Sequence, residues 1–144
     1  MFSKACEYGI RAITNIAMQS LKHRRASLKE IAEKIDSPAA LPAKILQNLS
    51  KHNLIDSIKG VYGAFEISRA QINRLKLSGI LNTRDGDRIY VGCALGLKEC
   101  NADKPCPVHD KFVDIRNDLQ EMLENTSLYK MTTGLDVGLT YLKH

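Results

Sequence analysis

The 144-residue sequence contains no hydrophobic run long enough to span a membrane, no low-complexity tract and no internal repeat. A membrane-spanning helix needs about 20 consecutive, mostly apolar residues, so we expect a cytoplasmic protein with no membrane partner. We also expect no secretory signal, because Met1-Phe2-Ser3-Lys4 leads directly into a helical pattern. The length is sufficient for one compact core, or for a small domain with an appendage.

Acidic residues are scarce in the first half of the chain. Residues 1–76 hold 13 lysines and arginines against six acidic residues, whereas residues 77–144 hold eight against ten. A basic half joined to a mildly acidic half favours a nucleic-acid-binding domain linked to a different element. A lysine-rich solvated surface gives the same count, so the motifs must decide.

Three of the four cysteines lie in one short stretch. Cys93, Cys100 and Cys106 are followed by His109, three residues after the last cysteine. Thiolate and imidazole are suitable ligands for zinc or for an iron–sulphur cluster. Pro107 fits the first position of a helix, which would place Cys106 near the positive end of a helix dipole and favour its thiolate. The stretch therefore predicts a loop that binds a 2Fe–2S or 4Fe–4S cluster, with a structural zinc ion as the alternative.

Other uses of these thiols remain open. Disulfide bonds are disfavoured, since Cys6 lies far away in sequence and no secretory signal is present. A redox switch could use the thiols without any metal. Cys106 and His109 could serve as nucleophile and base, but no oxyanion hole or substrate pocket accompanies them, so we predict no enzymatic activity. An iron–sulphur carrier that never contacts DNA is a further alternative, against which the basic half argues.

The first half of the chain has the pattern of a winged helix-turn-helix domain. Apolar spacing predicts a helix over residues 3–21, and Ser27 with Glu30 forms a capping box that opens a second helix. A third helix, over residues 42–52, would enter the major groove of DNA. Two short strands and a glycine-containing turn over residues 54–67 would form the wing. The candidate DNA-contacting residues are Lys29, Lys44, Gln47, Asn48, Lys51, Lys59 and Tyr62.

The second half is predicted to form a helix over residues 70–82, an extended segment over residues 88–91 and a long helix over residues 107–125. Apolar residues of the long helix recur at spacings of four and three, which is the a/d pattern of paired helices. A short helix is expected within residues 127–142. We therefore predict a homodimer whose seam consists of Val108, Phe112, Ile115, Leu119 and Met122.

These pieces predict a mainly α protein with a small β-hairpin wing, in which a winged helix-turn-helix domain precedes a long dimerisation helix. The predicted segments are the DNA-binding domain (residues 1–82), the cysteine-rich loop (residues 83–106), and the dimerisation helix with its tail (residues 107–144). Two recognition helices in a two-fold dimer would bind a pseudo-palindromic operator in double-stranded DNA, with half-sites about 34 Å apart.

In order and spacing, these motifs resemble the Rrf-two family of bacterial winged-helix regulators. The resemblance covers roughly residues 1–134. It rests on EYGIRA at residues 7–12, SLKEIA at residues 27–32, KILQ at residues 44–47, the glycine wing and the three clustered cysteines. It implies a dimeric transcription factor that senses redox state, nitric oxide or iron–sulphur status through a cluster on Cys93, Cys100 and Cys106.

The same resemblance implies one further ligand to the cluster and offers two candidates. Members that regulate cluster synthesis provide a histidine three residues after the last cysteine, which corresponds to His109. Members that sense nitric oxide provide a carboxylate from the first helix, which corresponds to Glu7. His109 needs no distant part of the chain to move, so it is the preferred candidate.

Overall fold

The computed structural model describes residues 2–37, 41–60 and 63–142. In these ranges the chain forms eight helices and one antiparallel hairpin, so the mainly α fold with a small wing is confirmed. The elements are α1 (Lys4–Leu21), α2 (Leu28–Ile35), α3 (Leu41–Lys51), β1 (Asp56–Ile58), β2 (Ala64–Glu66), α4 (Arg69–Arg74), α5 (Leu77–Arg84), α6 (Arg88–Val91), α7 (His109–Asn125) and α8 (Leu128–Asp136).

Helix α1 is the centre of the core. It begins after Ser3, whose hydroxyl accepts a hydrogen bond from the backbone N–H of Cys6 at 3.1 Å and so satisfies an otherwise unpaired group of the first turn. Its apolar face, which includes Ile13 and Ile16, is fully buried. Helices α2, α3, α5 and α8 all contact α1. Helices α3 and α8 are therefore both held in place by α1.

The winged helix-turn-helix forms as the sequence predicts. Ser27 Oγ accepts from the Glu30 backbone N–H at 3.2 Å, and Glu30 Oε2 accepts from the Ser27 backbone N–H at 2.9 Å, which completes the capping box. Strand β1 pairs with β2 in the register Ser57 opposite Phe65. Ala26 forms a further bridge to Phe65, so the hairpin is fastened to the segment that leads into α2.

The single helix predicted over residues 70–82 is wrong, because the structure divides it into α4 and α5. The break lies at Leu75 and Lys76, where the Leu75 carbonyl accepts from the Leu128 N–H at 2.9 Å and the Leu77 N–H donates to the Thr126 carbonyl at 2.9 Å. These bonds replace the helical bonds that the Leu75 carbonyl and the Leu77 N–H would otherwise make. A partner distant in sequence thus overrides a local helical pattern.

Two predictions at the borders of the cysteine loop are also corrected. Residues 88–91 form the single helical turn α6 instead of an extended segment, with the Asp87 carbonyl accepting from the Tyr90 N–H at 2.8 Å. Ile89 and Tyr90 pack against the core, which favours the compact turn. Helix α7 begins at His109, so Pro107 lies before the helix and not at its first position.

The C-terminal part of the chain returns to the N-terminal domain. Helix α7 packs on α5 and α6, and α8 packs on α1 and α4. Leu123 of α7 and Leu128 of α8 are fully buried in the same core as α1. Among the described helices, none combines the length and apolar character needed to cross a membrane.

Candidate metal centre and nucleic-acid interface

The three clustered cysteines lie on the loop between α6 and α7, where all are half-buried and free. The structure brings the predicted ligands together in two pairs. Cys106 lies close enough to Cys93 for its side chain to help lower the pKa of the Cys93 thiol, and Cys100 Sγ lies 3.4 Å from Nδ1 of His109. The turn before α7 sets the second pair, since the His109 N–H donates to the Cys106 carbonyl at 3.0 Å.

Backbone N–H groups of the loop surround the Cys93 thiol. Hydrogen bonds from Leu97 and Leu95, with a smaller contribution from the Cys106 side chain, hold the pKa of Cys93 below its ordinary value. Gly96 has a φ of 74°, a left-handed conformation that favours glycine and lets the chain fold back over Cys93. The loop therefore favours the thiolate of Cys93, which is the form that binds metal.

Arg116, which was not among the predicted site residues, contacts the same loop. Its Nη1 and Nη2 each donate to Cys100 Sγ at 3.4 Å, and Nη1 also donates to the Gly92 carbonyl at 2.6 Å. Arg116 lies two helical turns after His109, so both side chains project from the same face of α7. That spacing is the one signal in the sequence that could have identified it.

The donor chemistry fits an iron–sulphur cluster or zinc, but the donors do not yet converge. Among the described residues, no three His, Cys, Asp or Glu side chains are grouped in a way that could hold a metal ion. A cavity of about 680 Å³ is lined by Cys93, Cys100 and the chain that joins them. Soft ligands, a lowered thiol pKa and adjacent space suit such a group, and the two pairs would have to close around it.

The remaining ligand candidate, Glu7, lies on α1 together with Cys6, the one cysteine that was not predicted to be a ligand. Glu7 accepts a hydrogen bond from Lys4 Nζ at 2.8 Å, and this bond holds the pKa of Glu7 below its ordinary value. Within one chain the structure thus pairs Glu7 with a lysine and places it outside the two thiol pairs. Cys6 is fully buried, and burial raises the pKa of its thiol to about 12, so it behaves as a small apolar residue.

The recognition helix α3 presents a polar surface on one side and packs on α1 with the other. Lys44, Gln47 and Lys51 are exposed, as required of residues that contact DNA. Asn48 differs from them because it is half-buried, and its buried Oδ1 has no hydrogen-bond partner among the residues that the structure describes. The two amide side chains of this helix are therefore not equivalent.

The other predicted DNA-contacting residues lie on α2 and at the wing. Lys29 is exposed on α2, and Lys59 is exposed in the turn between β1 and β2. Tyr62 lies outside the residues that the structure describes. The basic side chains of α2, α3 and the wing are thus available to a nucleic-acid backbone.

The predicted dimer seam divides into two parts in the single chain. Val108, Phe112 and Leu119 are half-buried, and Leu119 packs against the core. Ile115 and Met122 are 56% and 46% exposed. These two large apolar side chains are therefore the exposed part of the predicted seam.

Comparison with known proteins decides the family. The family model described as "Rrf2: Iron-dependent Transcriptional regulator" matches residues 2–134. The chain belongs to the Rrf2 family. The resemblance inferred from the motifs is confirmed, and the chain is a DNA-binding transcriptional regulator of this family and not an enzyme.

One relative and two solved structures illustrate the Rrf2 similarity. A protein of Aquifex aeolicus, named as a candidate HTH-type transcriptional regulator, is 26% identical over 130 residues, which cover 89% of this chain and 88% of that protein. CymR of B. subtilis, described as the global cysteine regulator, has a TM-score of 0.72 at 19% identity and covers 92% of this chain and 96% of its own. IscR of T. potens has a TM-score of 0.72 at 19% identity, covering 98% and 92%. At such identities the two structures show the shared fold.

Proposed function

We propose that this Rrf2 protein regulates transcription by sensing redox state, nitric oxide or iron–sulphur status through a cluster held by Cys93, Cys100 and Cys106. The observation that carries the proposal is the arrangement of the loop. Three thiols and the imidazole of His109 lie within one short segment as two neighbouring pairs, and the thiolate is favoured at Cys93.

The three cysteines and His109 have different roles in this function. The cysteines provide thiolate ligands, and His109 provides the further ligand from the start of α7. When bound, the cluster supplies a redox-active group. The charge at the site then depends on whether the cluster is present and on its oxidation state. The loop residues hold that group at the junction between α6 and the helix proposed for dimerisation.

The segment that leads into the cysteine loop begins at a residue bonded to the start of α1. The backbone N–H of Ser3 donates to Asp85 Oδ2 at 2.8 Å, and the Ser3 hydroxyl hydrogen-bonds to Asp85 Oδ1. Ser3 caps α1, and Asp85 ends α5 just before the segment that leads to the cysteines. A rearrangement of the loop would therefore act on the end of the helix on which α3 rests.

The DNA-binding surface is proposed to act as a two-fold pair. Ile115 and Met122 on α7 would pack against their counterparts in a second copy, which would set two α3 helices about 34 Å apart on successive major grooves. Gln47 would contact base edges, and the exposed lysines would contact phosphates.

A regulator that uses zinc or the thiols alone is the second candidate. The proximity of Cys93 and Cys106 favours it, since two neighbouring thiols are suited to reversible oxidation. It keeps the same DNA-binding surface and differs only in what the loop detects.

Anaerobic purification separates these candidates. We expect the purified protein to be coloured and to contain iron and acid-labile sulphide. Cys93→Ala, Cys100→Ala and Cys106→Ala should each remove the colour, whereas the matched Cys6→Ala variant should keep it. Stoichiometric zinc without sulphide would support the second candidate, and colour that survives in a loop variant would contradict the ligand assignment.

A gel-shift measurement tests the regulatory part of the proposal. The protein should bind a pseudo-palindromic operator from its own genome, with an affinity that differs between the cluster-containing and cluster-free forms. Equal affinity for the operator in both forms would show that the cluster does not control DNA binding.

A further inference from the structure

Arg116 is the residue that connects α7 to two separate points of the cysteine loop. Its guanidinium donates to the Gly92 carbonyl, directly before Cys93, and to Cys100 Sγ in the middle of the loop. The planar fork of arginine allows several N–H groups to be used at once, which the single ammonium of a lysine does not reproduce. One side chain thus fixes the distance between the start of the loop and its central thiol.

The charge of Arg116 has no acidic partner in the part of the chain that the structure describes. Three ion pairs occur there, and none of them includes Arg116. The side chain is half-buried, a position in which an uncompensated charge is unfavourable. Cys100 is the contacting group that becomes anionic as a ligand, so the sulphur is the natural counter-ion of this arginine.

We propose that Arg116 is the positioning residue of the cluster site: it ties Gly92 and Cys100 to α7 and places a permanent positive charge against a ligand sulphur. It binds no metal itself. This inference rests on the proposed cluster function for its electrostatic part, whereas its structural part applies to the metal-free chain.

Two measurable consequences follow from these contacts. Hydrogen bonds to ligand sulphurs and nearby positive charge stabilise the more negative, reduced form of a cluster, so Arg116 should raise the reduction potential. The tie between Gly92 and Cys100 should also protect backbone amides of the loop from exchange with solvent, since it opposes local opening.

The test compares Arg116→Gln, Arg116→Lys and Lys111→Gln. Lys111 is exposed and projects from a different face of α7, so its variant removes one positive charge without touching the loop. In metal-free protein, we expect Arg116→Gln to accelerate amide exchange over residues 92–100 by about tenfold, from the loss of hydrogen bonds made by a charged group. In reconstituted protein, the same variant should show a more negative reduction potential and faster loss of the cluster in air.

Arg116→Lys separates geometry from charge. It should accelerate amide exchange as Arg116→Gln does but leave the reduction potential close to that of the wild type, while Lys111→Gln should change neither. Circular dichroism and thermal unfolding establish that each variant is folded. Unchanged exchange and potential in Arg116→Gln would overturn the inference. A wild-type protein without iron or sulphide would instead refute the proposed cluster, and the exchange measurement would still decide the role of Arg116 in the loop.

Discussion

His109 and Glu7 differ in how far they are from the thiols that they would join. His109 is the first residue of α7, and its Nδ1 is already 3.4 Å from Cys100 Sγ. Glu7 lies on α1 and hydrogen-bonds to Lys4, so it would have to exchange that partner and meet a loop, most simply that of a second subunit. A neutral imidazole is also a softer ligand than a carboxylate. Local geometry therefore favours His109.

The first prediction concerns this further ligand. His109→Ala should alter the visible spectrum of the cluster and shorten its lifetime in air, because one ligand is lost. Glu7→Ala should leave both unchanged, with Glu33→Ala as a control for the loss of one acidic side chain from the N-terminal domain. Spectra recorded under anaerobic conditions provide the measurement. A changed spectrum in Glu7→Ala together with an unchanged one in His109→Ala would reverse the assignment.

The second prediction separates Gln47 from Asn48. Gln47 is exposed on α3, whereas the side-chain oxygen of Asn48 is buried. Gln47→Ala should therefore cost about 1–3 kcal/mol of discrimination at one base pair, and Asn48→Ala should change sequence preference much less. Affinities for operators with single base changes give the comparison. If Asn48→Ala altered the preferred base more than Gln47→Ala, the side chain of Asn48 must rotate outward when the protein binds DNA.

At the scale of elements, α7 has three surfaces with different surroundings. Arg116 and the first residue, His109, contact the cysteine loop, Leu123 is buried in the core, and Ile115 with Met122 is exposed. A change in the loop and a change in subunit pairing would therefore act through the same rigid helix.

The third prediction tests the exposed face of α7. Ile115→Asp and Met122→Asp should convert dimers to monomers, because each places a charge in the proposed seam at a cost of several kcal/mol. Both residues are exposed in the single chain, so the fold itself should be retained. Asn117→Asp, an exposed substitution on the same helix, is the matched control. Sedimentation velocity decides the matter, and dimers that persist in both variants would place the subunit contact elsewhere.

Local signals account for the elements that the sequence predicted correctly. The capping box of Ser27 and Glu30 and the apolar periodicity of α1 depend on residues a few positions apart. The break at Leu75 could not be predicted, since it results from bonds to residues 126–128. The role of Arg116 likewise depends on residues distant in sequence, because its contacts form only when the cysteine loop folds onto α7. The spacing of the cysteines identified the candidate ligands, but only the folded loop shows which thiol faces which partner.

At the scale of the whole molecule, the positive charge is concentrated in the half that carries α2, α3 and the wing. The fourth prediction follows from this distribution. Operator affinity should fall steeply as salt concentration rises, and Lys59→Ala should weaken binding to all sequences alike while reducing the logarithmic salt slope by about one. Lys130→Ala, on α8 in the acidic half, is the control and should leave the slope unchanged. Affinity that does not depend on salt would contradict a phosphate-contacting role for this half.

The bonds that join residues 75–77 to residues 126–128 also determine how the chain would respond to a cut. They bring together the two ends of the long segment that contains the cysteine loop. Leu123 and Leu128 complete the core against which α1 packs. Residues 94–99 lie in the middle of that segment and are exposed. Because the two parts of the chain are held together by these bonds and by core packing, the peptide bonds of residues 94–99 are not needed to keep them associated. Cleavage at Lys98 would leave a nicked but assembled particle, with Cys93 on one fragment and Cys100 on the other. Such a cut would separate two of the proposed cluster ligands while the helices on either side of the loop stay packed together.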